Sequence, residues 1–353
     1  MEKLKIAIIG CGGINKAAHY PGYELIDNAE IVACCDILPD RVEEYAKERN
    51  IPFYCTDYKE ILKLDYVDAV DICTPNYLHS IIAVDALNAG KHVFCEKPDA
   101  VSVEETEKMK AAAEKNGKVL MVMRNNRWRA TAQFLKQYIE SGKMGDVYAA
   151  RCGWVRRRGI PGRGGWFTTK AQSGGGPLID LGVHMIDLTM YLMGNPTPVS
   201  VVGCTYNKFA NAEEISDSKN SDFGDSVSGG TFDVEDLAMG FIKFDNGACM
   251  QIEFSWASNI EKENAFTELR GSKSGACLDW SGLKIFTEEF GKTVDYIPNI
   301  KETMPQHAGN LKHFVDVVLN GAEPDFVPQQ GVNMIKILEA FYKSAETGKE
   351  ILL

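Results

Sequence analysis

Alternating strand and helix signals over the first third of the chain, consecutive strand signals after it, and a glycine turn between an apolar run and a helix predict an α/β fold. The expected architecture is a doubly wound parallel sheet over residues 1–124, followed over residues 125–353 by an α+β domain with a large, mainly antiparallel sheet.

Lys3-Leu4-Lys5-Ile6-Ala7-Ile8-Ile9 is an apolar run of strand length, and Gly10-Cys11-Gly12-Gly13-Ile14-Asn15 follows at once. A second run, Glu30 to Cys35, ends in Asp36. In strand, glycine turn, helix, strand and acid, helix N-terminal amides hold a pyrophosphate and the acid bonds the adenosine ribose hydroxyls. Asn15 stands where a third glycine is usual, but Asp36, 21 residues on, completes the pattern. A carboxylate repels a 2′-phosphate, so Asp36 favours NAD over NADP; Arg41, five residues later, is the one opposing sign.

Pro39 to Asn50 reads as a charged amphipathic helix, Val67 to Cys73 as a buried strand ending in Thr74-Pro75-Asn76, and Tyr77 to Ala89 as a helix stopped by Gly90. His92 to Cys95 is the next strand, and Glu96-Lys97-Pro98 leaves its C-terminal end. Ser102 with Glu105 forms a capping box for a helix to Asn116, Gly117 closes it, and Val119 to Met123 is another strand. A doubly wound sheet binds ligands beyond the carboxyl ends of its strands, where Thr74, Pro75, Asn76, Glu96 and Lys97 lie.

Beyond about residue 125 the strand signals follow one another: Val147 to Val155, Val199 to Tyr206, Leu237 to Phe244, Ala248 to Trp256 and Ala265 to Arg270. Asp245-Asn246-Gly247 is a hairpin turn signal between two of them. Two late helices, about His307 to Leu319 and Gln329 to Glu346, complete the chain, and Asn207 to Gly230 reads as a long polar loop.

At 353 residues, 45% of them hydrophobic, the chain has material for two cores. A net charge of -11 argues against nucleic acid or an anionic membrane as partner. Arg156-Arg157-Arg158 is a local exception, read as a solvated or interface-paired run in preference to a ligand contact. No apolar run reaches the roughly 18 residues of a membrane span, and Met1-Glu2-Lys3 leads into the first strand without a signal peptide, so a cytoplasmic location is expected. The ten cysteines, several inside apolar runs (Cys34, Cys35, Cys73, Cys95, Cys249), form no CxxC pair and read as buried reduced thiols.

The most informative segment is Gly174-Gly175-Gly176-Pro177 through Asp180, His184 and Asp187, whose spacings of four and three put the three polar side chains on one helical face. Three readings fit: a His general base oriented by a carboxylate, an amphipathic helix with a satisfied polar stripe, or part of a metal site whose remaining ligand is not apparent.

Taken together, Gly10 to Asn15, Thr74-Pro75-Asn76-Tyr77-Leu78-His79, Glu96-Lys97-Pro98 and the Gly174 segment resemble the glucose-fructose oxidoreductase / inositol dehydrogenase (Gfo/Idh/MocA) family over essentially the whole chain. The resemblance implies a Rossmann domain with an open-faced α+β domain, NAD(P)-dependent oxidation of a sugar or cyclitol hydroxyl, and homodimers or homotetramers joined through the open sheet. It puts the catalytic group on Lys97, Asp180 and His184. Cofactor contacts fall on Gly10, Cys11, Gly12, Gly13, Ile14, Asn15, Asp36, Arg41, Thr74, Pro75, Asn76, His79, Glu96, Lys97 and Asn125. Substrate contacts fall on Lys97, Trp154, Arg156, Trp166, Asp180 and His184, with no metal. Arg127 lies in a stretch that contacts the nicotinamide side in the family, but Arg124-Asn125-Asn126-Arg127-Trp128 departs from the family pattern. Trp154 to Pro161, Trp166-Phe167, Val234-Glu235-Asp236 and Ser255-Trp256-Ala257 further resemble bacterial members that oxidise the 3-hydroxyl of glucosides. NAD-dependent glycosidases, dinucleotide-binding regulators, and members of the family that reduce aldehydes or imines are the competing expectations.

Overall fold

A computed structural model describes residues 3–210 and 224–353; residues 211–223 of the expected Asn207 to Gly230 loop lie outside the described residues. By internal contacts the chain divides into two units, residues 1–125 with 304–332, and residues 126–303 with 333–353. The stretch 304–332, expected in the second block, thus packs with the first. Its helix Gln306–Asn320 supplies Leu311, Phe314 and Val315 to the same apolar core as the glycine-turn strand.

In the first unit β1 (Leu4–Ile9), β2 (Ala29–Cys35), β3 (Phe53–Cys55), β4 (Ala69–Ile72), β5 (His92–Cys95) and β6 (Leu120–Val122) form a parallel sheet in the order β3-β2-β1-β4-β5-β6. The order reverses on either side of β1, which sets the carboxyl ends of β1 and β4 beside the crevice where such sheets take ligands. Every residue of β1 but Lys5 is buried, as expected of a strand covered on both faces. The Ser102 cap forms, its hydroxyl accepting the Glu105 N–H at 3.3 Å, and Gly117 ends the helix Val103–Asn116 in the left-handed region.

In the second unit the described strands are β7 (Val147–Val155), β8 (Pro198–Tyr206), β9 (Leu237–Phe244), β10 (Cys249–Ser255), β11 (Asn264–Gly271), β12 (Gly275–Asp279), β13 (Gly282–Glu289), β14 (Lys292–Tyr296) and β15 (Ile351–Leu352). They pair in the order β14-β13-β12-β11-β7-β10-β9-β8-β15. All pairs are antiparallel except β7 with β10. The hairpin between β9 and β10 turns at Gly247, φ 83°. One face is covered by the helix Gly182–Leu192, which lies on β7 and β11 and whose Thr189 hydroxyl meets that of Thr267 at 3.0 Å. The other face carries Val202, Tyr206, Met239, Phe241 and Phe286, each more than a third exposed.

Five described strands went unanticipated, β3 and β12 to β15: β3 and β15 are three and two residues long, β14 is mostly exposed, and in β12 and β13 the alternation rests on two buried residues each, Ala276 with Leu278 and Leu283 with Ile285. The continuous helix expected through Asp180, His184 and Asp187 is interrupted at Leu181, which separates Pro177–Asp180 from Gly182–Leu192.

Candidate active site

In the first unit, Gly10 has φ 99°, and a Cβ there would lie 2.6 Å from the Cys73 carbonyl oxygen, so only glycine lets β1 turn beside β4. Gly12 and Gly13 are different: a Cβ on either meets nothing within 4 Å. Their bare backbone faces open space, which is what close approach of a pyrophosphate requires. At the end of β2, Asp36 Oδ2 accepts the Cys11 N–H at 3.0 Å and Oδ1 accepts that of Leu38 at 3.0 Å, with Arg41 Nη1 3.6 Å away. The acid is thereby anchored to the glycine loop itself. Thr74 Oγ1 and Asn125 Oδ1 are buried with no hydrogen-bond partner among the described residues, a costly state that a polar ligand would relieve. The donor set fits a dinucleotide.

Three expected cofactor residues direct their side chains elsewhere. Asn15 is buried, its amide donating to Cys73 Sγ at 3.6 Å and accepting from the Tyr45 hydroxyl, so only its backbone is left for a ligand. His79 has Nδ1 at 2.7 Å from the Pro98 carbonyl and Nε2 at 2.9 Å from that of Thr74, which makes it a brace between two strand ends. Glu96 is 5% exposed and engages His19 at 2.7 Å and the Lys97 N–H at 3.0 Å.

In the second unit, the triple glycine is explained by its neighbours. A Cβ on Gly175 would lie 1.9 Å from the Tyr342 hydroxyl, and one on Gly176 2.1 Å from the Glu235 carbonyl oxygen. The buried Glu235 carboxylate accepts the N–H groups of Gly176 (3.0 Å) and Leu178 (3.1 Å) and the Tyr342 hydroxyl (3.0 Å). Burial pushes this carboxyl up from its ordinary value against the pull of those donors. The turn so held delivers Asp180, whose Oδ2 accepts the indole N–H of the fully buried Trp256 at 2.9 Å. One helical turn on, the His184 ring lies 6.0 Å from the Trp154 ring, tilted by 51°. The Arg156 guanidinium lies 5.2 Å from the same tryptophan, its Nη1 donating to the Gly159 carbonyl. Trp166 instead stacks on Phe167 at 3.8 Å.

Asp187, the third polar residue of the expected face, is engaged by a residue far off in the chain. It forms a buried two-bond ion pair with Arg127, at 2.8 and 2.6 Å. The same pair engages Arg127, which is fully buried and lies 4.9 Å from the Tyr191 ring. The basic run is only partly solvated: Arg158 donates to Asn259 and to the Ser258 carbonyl and covers Phe209. Seven cysteines are buried, but Cys204 is exposed and Cys249 and Cys277 are half-buried; all ten are free thiols. Sequence reasoning did not single out Trp256, Glu235 or Tyr342 as supports of the Gly174 segment, because the bonds that tie them to it span 57 residues or more of chain and only folding brings them together.

The family model described as "Oxidoreductase family, NAD-binding Rossmann fold" matches residues 4–124, and that of the GFO/IDH/MocA C-terminal domain matches residues 132–276. D-glucoside 3-dehydrogenase of Escherichia coli (strain K12) is 32% identical over 351 residues, covering 99% of this chain and 97% of that protein. Among solved structures, an oxidoreductase domain protein from Kribbella flavida superposes with a TM-score of 0.88 at 24% identity, covering 100% of this chain and 99% of that one. A levoglucosan dehydrogenase in complex with NADH gives 0.85 at 22% identity, covering 99% of each chain. No helix among the described residues is long and apolar enough to cross a membrane.

Proposed function

Because the chain belongs to the Gfo/Idh/MocA family of NAD-binding oxidoreductases, we propose that it oxidises a secondary hydroxyl of a sugar ring, a glucoside at C3 foremost and a cyclitol second. The observation that carries the choice of substrate is the end-to-end likeness to D-glucoside 3-dehydrogenase at 32% identity. The Trp154 face beside His184 supports it, since an indole lies well along the apolar face of a pyranose.

NAD supplies the hydride acceptor. His184 takes the proton of the reacting hydroxyl, being the side chain that exchanges protons near neutrality. Asp180, held by the Trp256 N–H, aligns the imidazole or bonds the neighbouring hydroxyl. Lys97 donates to the oxygen as negative charge builds on it. Asp36 bonds the adenosine ribose and sets the preference for NAD over NADP. Trp154 and Arg156 contact the sugar, with Trp166 further along the same segment. The family resemblance extends the proposal to a cytoplasmic homodimer or homotetramer joined through the exposed sheet face.

The test is incubation of the purified protein with NAD and methyl glucosides, free hexoses and inositols, following reduced nicotinamide by absorbance and products by mass spectrometry. The expected result is NADH formed in step with a keto-glucoside two mass units lighter than its parent. Aglycone release without net NADH would assign the chain to the glycosidase reading, and NAD binding without turnover of any polyol would assign it to the regulators.

A further inference from the structure

One buried chain of side chains in the first unit has no part in the chemistry above. His19, on the helical turn Asn15–His19 that follows the glycine loop, has no solvent exposure, and each ring nitrogen meets a carboxylate. Nδ1 lies 2.7 Å from Asp71 Oδ2, and Nε2 lies 2.7 Å from Glu96 Oε1. The other Glu96 oxygen accepts the main-chain N–H of Lys97 at 3.0 Å. Asp71, on β4, is fully buried, so the three groups are shielded from water.

Two acceptors on opposite edges of one imidazole call for two N–H donors, and only the imidazolium has them. A neutral ring would set a nitrogen lone pair against a carboxylate where no water can intervene. Burial on its own would drive the proton off, but the charge of Asp71 and then the sulfur of Cys73, 3.4 Å from Nδ1, outweigh it and hold His19 well above its ordinary value. Burial likewise opposes the Glu96 charge, yet the His19 bond and the charges of His19, Lys97 and His307 keep this carboxyl below its ordinary range. Tyr23 and Cys95 also sense Asp71 and Cys73, and Cys11 and Tyr45 sense Cys73.

The ligand atoms of His19, Asp71 and Cys73 also lie within 4.8 Å of one another, a spacing that suits a metal. The two 2.7 Å contacts are hydrogen-bond distances, however, and an ion on Nδ1 would have to displace the Asp71 bond.

We propose that His19 is a positioning residue: a protonated strut that links the glycine loop to the Glu96-Lys97-Pro98 turn and so fixes where Lys97 presents its ammonium group. It acts through Glu96 and touches neither substrate nor dinucleotide. The proposal rests on the reading that Lys97 is catalytic. Charge-assisted bonds on both sides make the strut stiffer than a neutral histidine would, and the tolerance on a catalytic donor is narrow.

The full-length protein is assayed with NAD and the glucoside it turns over, as wild type and as His19→Gln, Glu96→Gln and Lys97→Ala. Glu96→Gln is the milder change, since it keeps an acceptor for the Lys97 N–H. The strut predicts that His19→Gln and Glu96→Gln keep the NAD Kd and the sugar KM within ~3-fold while kcat falls ~10- to 100-fold, the scale of a misplaced catalytic group. It also predicts two far-downfield imidazolium N–H resonances in the wild type, one of which Glu96→Gln removes. That second measurement needs no variant to fold. A normal kcat in folded Glu96→Gln, absence of the two resonances in the wild type, loss of NAD affinity in proportion to kcat, or a stoichiometric metal in the purified protein would each overturn the strut. Turnover retained by Lys97→Ala would overturn the reading of Lys97 and the strut with it. An inactive Lys97→Ala beside a normal Glu96→Gln would overturn the strut alone.

Discussion

Asp36 is held by two backbone N–H groups, so its carboxylate is fixed in place before any nucleotide arrives. Replacement by serine removes the charge that repels a 2′-phosphate while leaving a hydrogen-bonding group, and Asp36→Ser should narrow or reverse the preference for NAD over NADP in fluorescence titrations. Wild-type preference for NADP would refute the role. Lys97 and His184 are tested by alanine: kcat should drop by ~10² to 10³ for the donor and ~10² to 10⁴ for the base, with NAD affinity kept within a few-fold. The His19 bridge adds a pH signature to stability. Glu96, held below 4.5, stabilises the fold above that pH and loses the contribution as pH falls toward its folded value. His19, held above 6.5, contributes fully below that pH and loses the contribution as pH rises through its folded value. The melting-temperature gap between wild type and Glu96→Gln should therefore be widest between pH 4.5 and 6.5 and shrink in acid, as differential scanning fluorimetry across pH would show.

At the scale of elements, the Gly174 segment is shaped by what presses on it. Gly175→Ala drives a methyl group into the Tyr342 hydroxyl and should cost about 1–3 kcal/mol in chemical denaturation, with turnover falling further as Asp180 shifts. The Arg127–Asp187 pair fastens the turn Asn125–Trp128 to the helix Gly182–Leu192. Arg127→Met alone should cost about 3–5 kcal/mol because it strands a buried carboxylate, whereas Arg127→Met with Asp187→Leu should recover most of the loss. These elements mark where sequence reasoning succeeds and stops. The glycine turn, the Ser102 cap and the Asp245-Asn246-Gly247 hairpin were legible because each is a local rule satisfied within a few residues, and Asp36 because the pattern fixes its spacing from the glycine turn. The break at Leu181 was not, since spacings of four and three describe an unbroken helix equally well. Nor was the pairing of Asp187 with a residue 60 positions away, which no periodicity encodes.

For the whole molecule, one face of the second unit's sheet is covered by its own helix and the other exposes apolar Val202, Tyr206, Met239, Phe241 and Phe286 among charged groups such as Lys243 and the Arg151–Glu268 pair, a mix that suits the face on which the proposed oligomer would form. If the assembly forms there, Phe241→Glu should shift light-scattering mass toward the monomer, while the same change at exposed Ile37 in the first unit should leave it unmoved. The strand register adds a ready-made probe. Cys204 pairs with Met239 and Met239 with Glu253; Glu253 lies on the same side of β10 as Cys249; and Cys277 pairs with Glu268, which shares the side of Phe266, the partner of Gly153, itself paired with Glu253. The three thiols that are not buried therefore all point to that exposed face, and the other seven are sealed in the cores. Alkylation of the native protein becomes a footprint of assembly without any engineered label: the count of modified thiols should rise toward three on dilution to monomer, and reach ten only in denaturant.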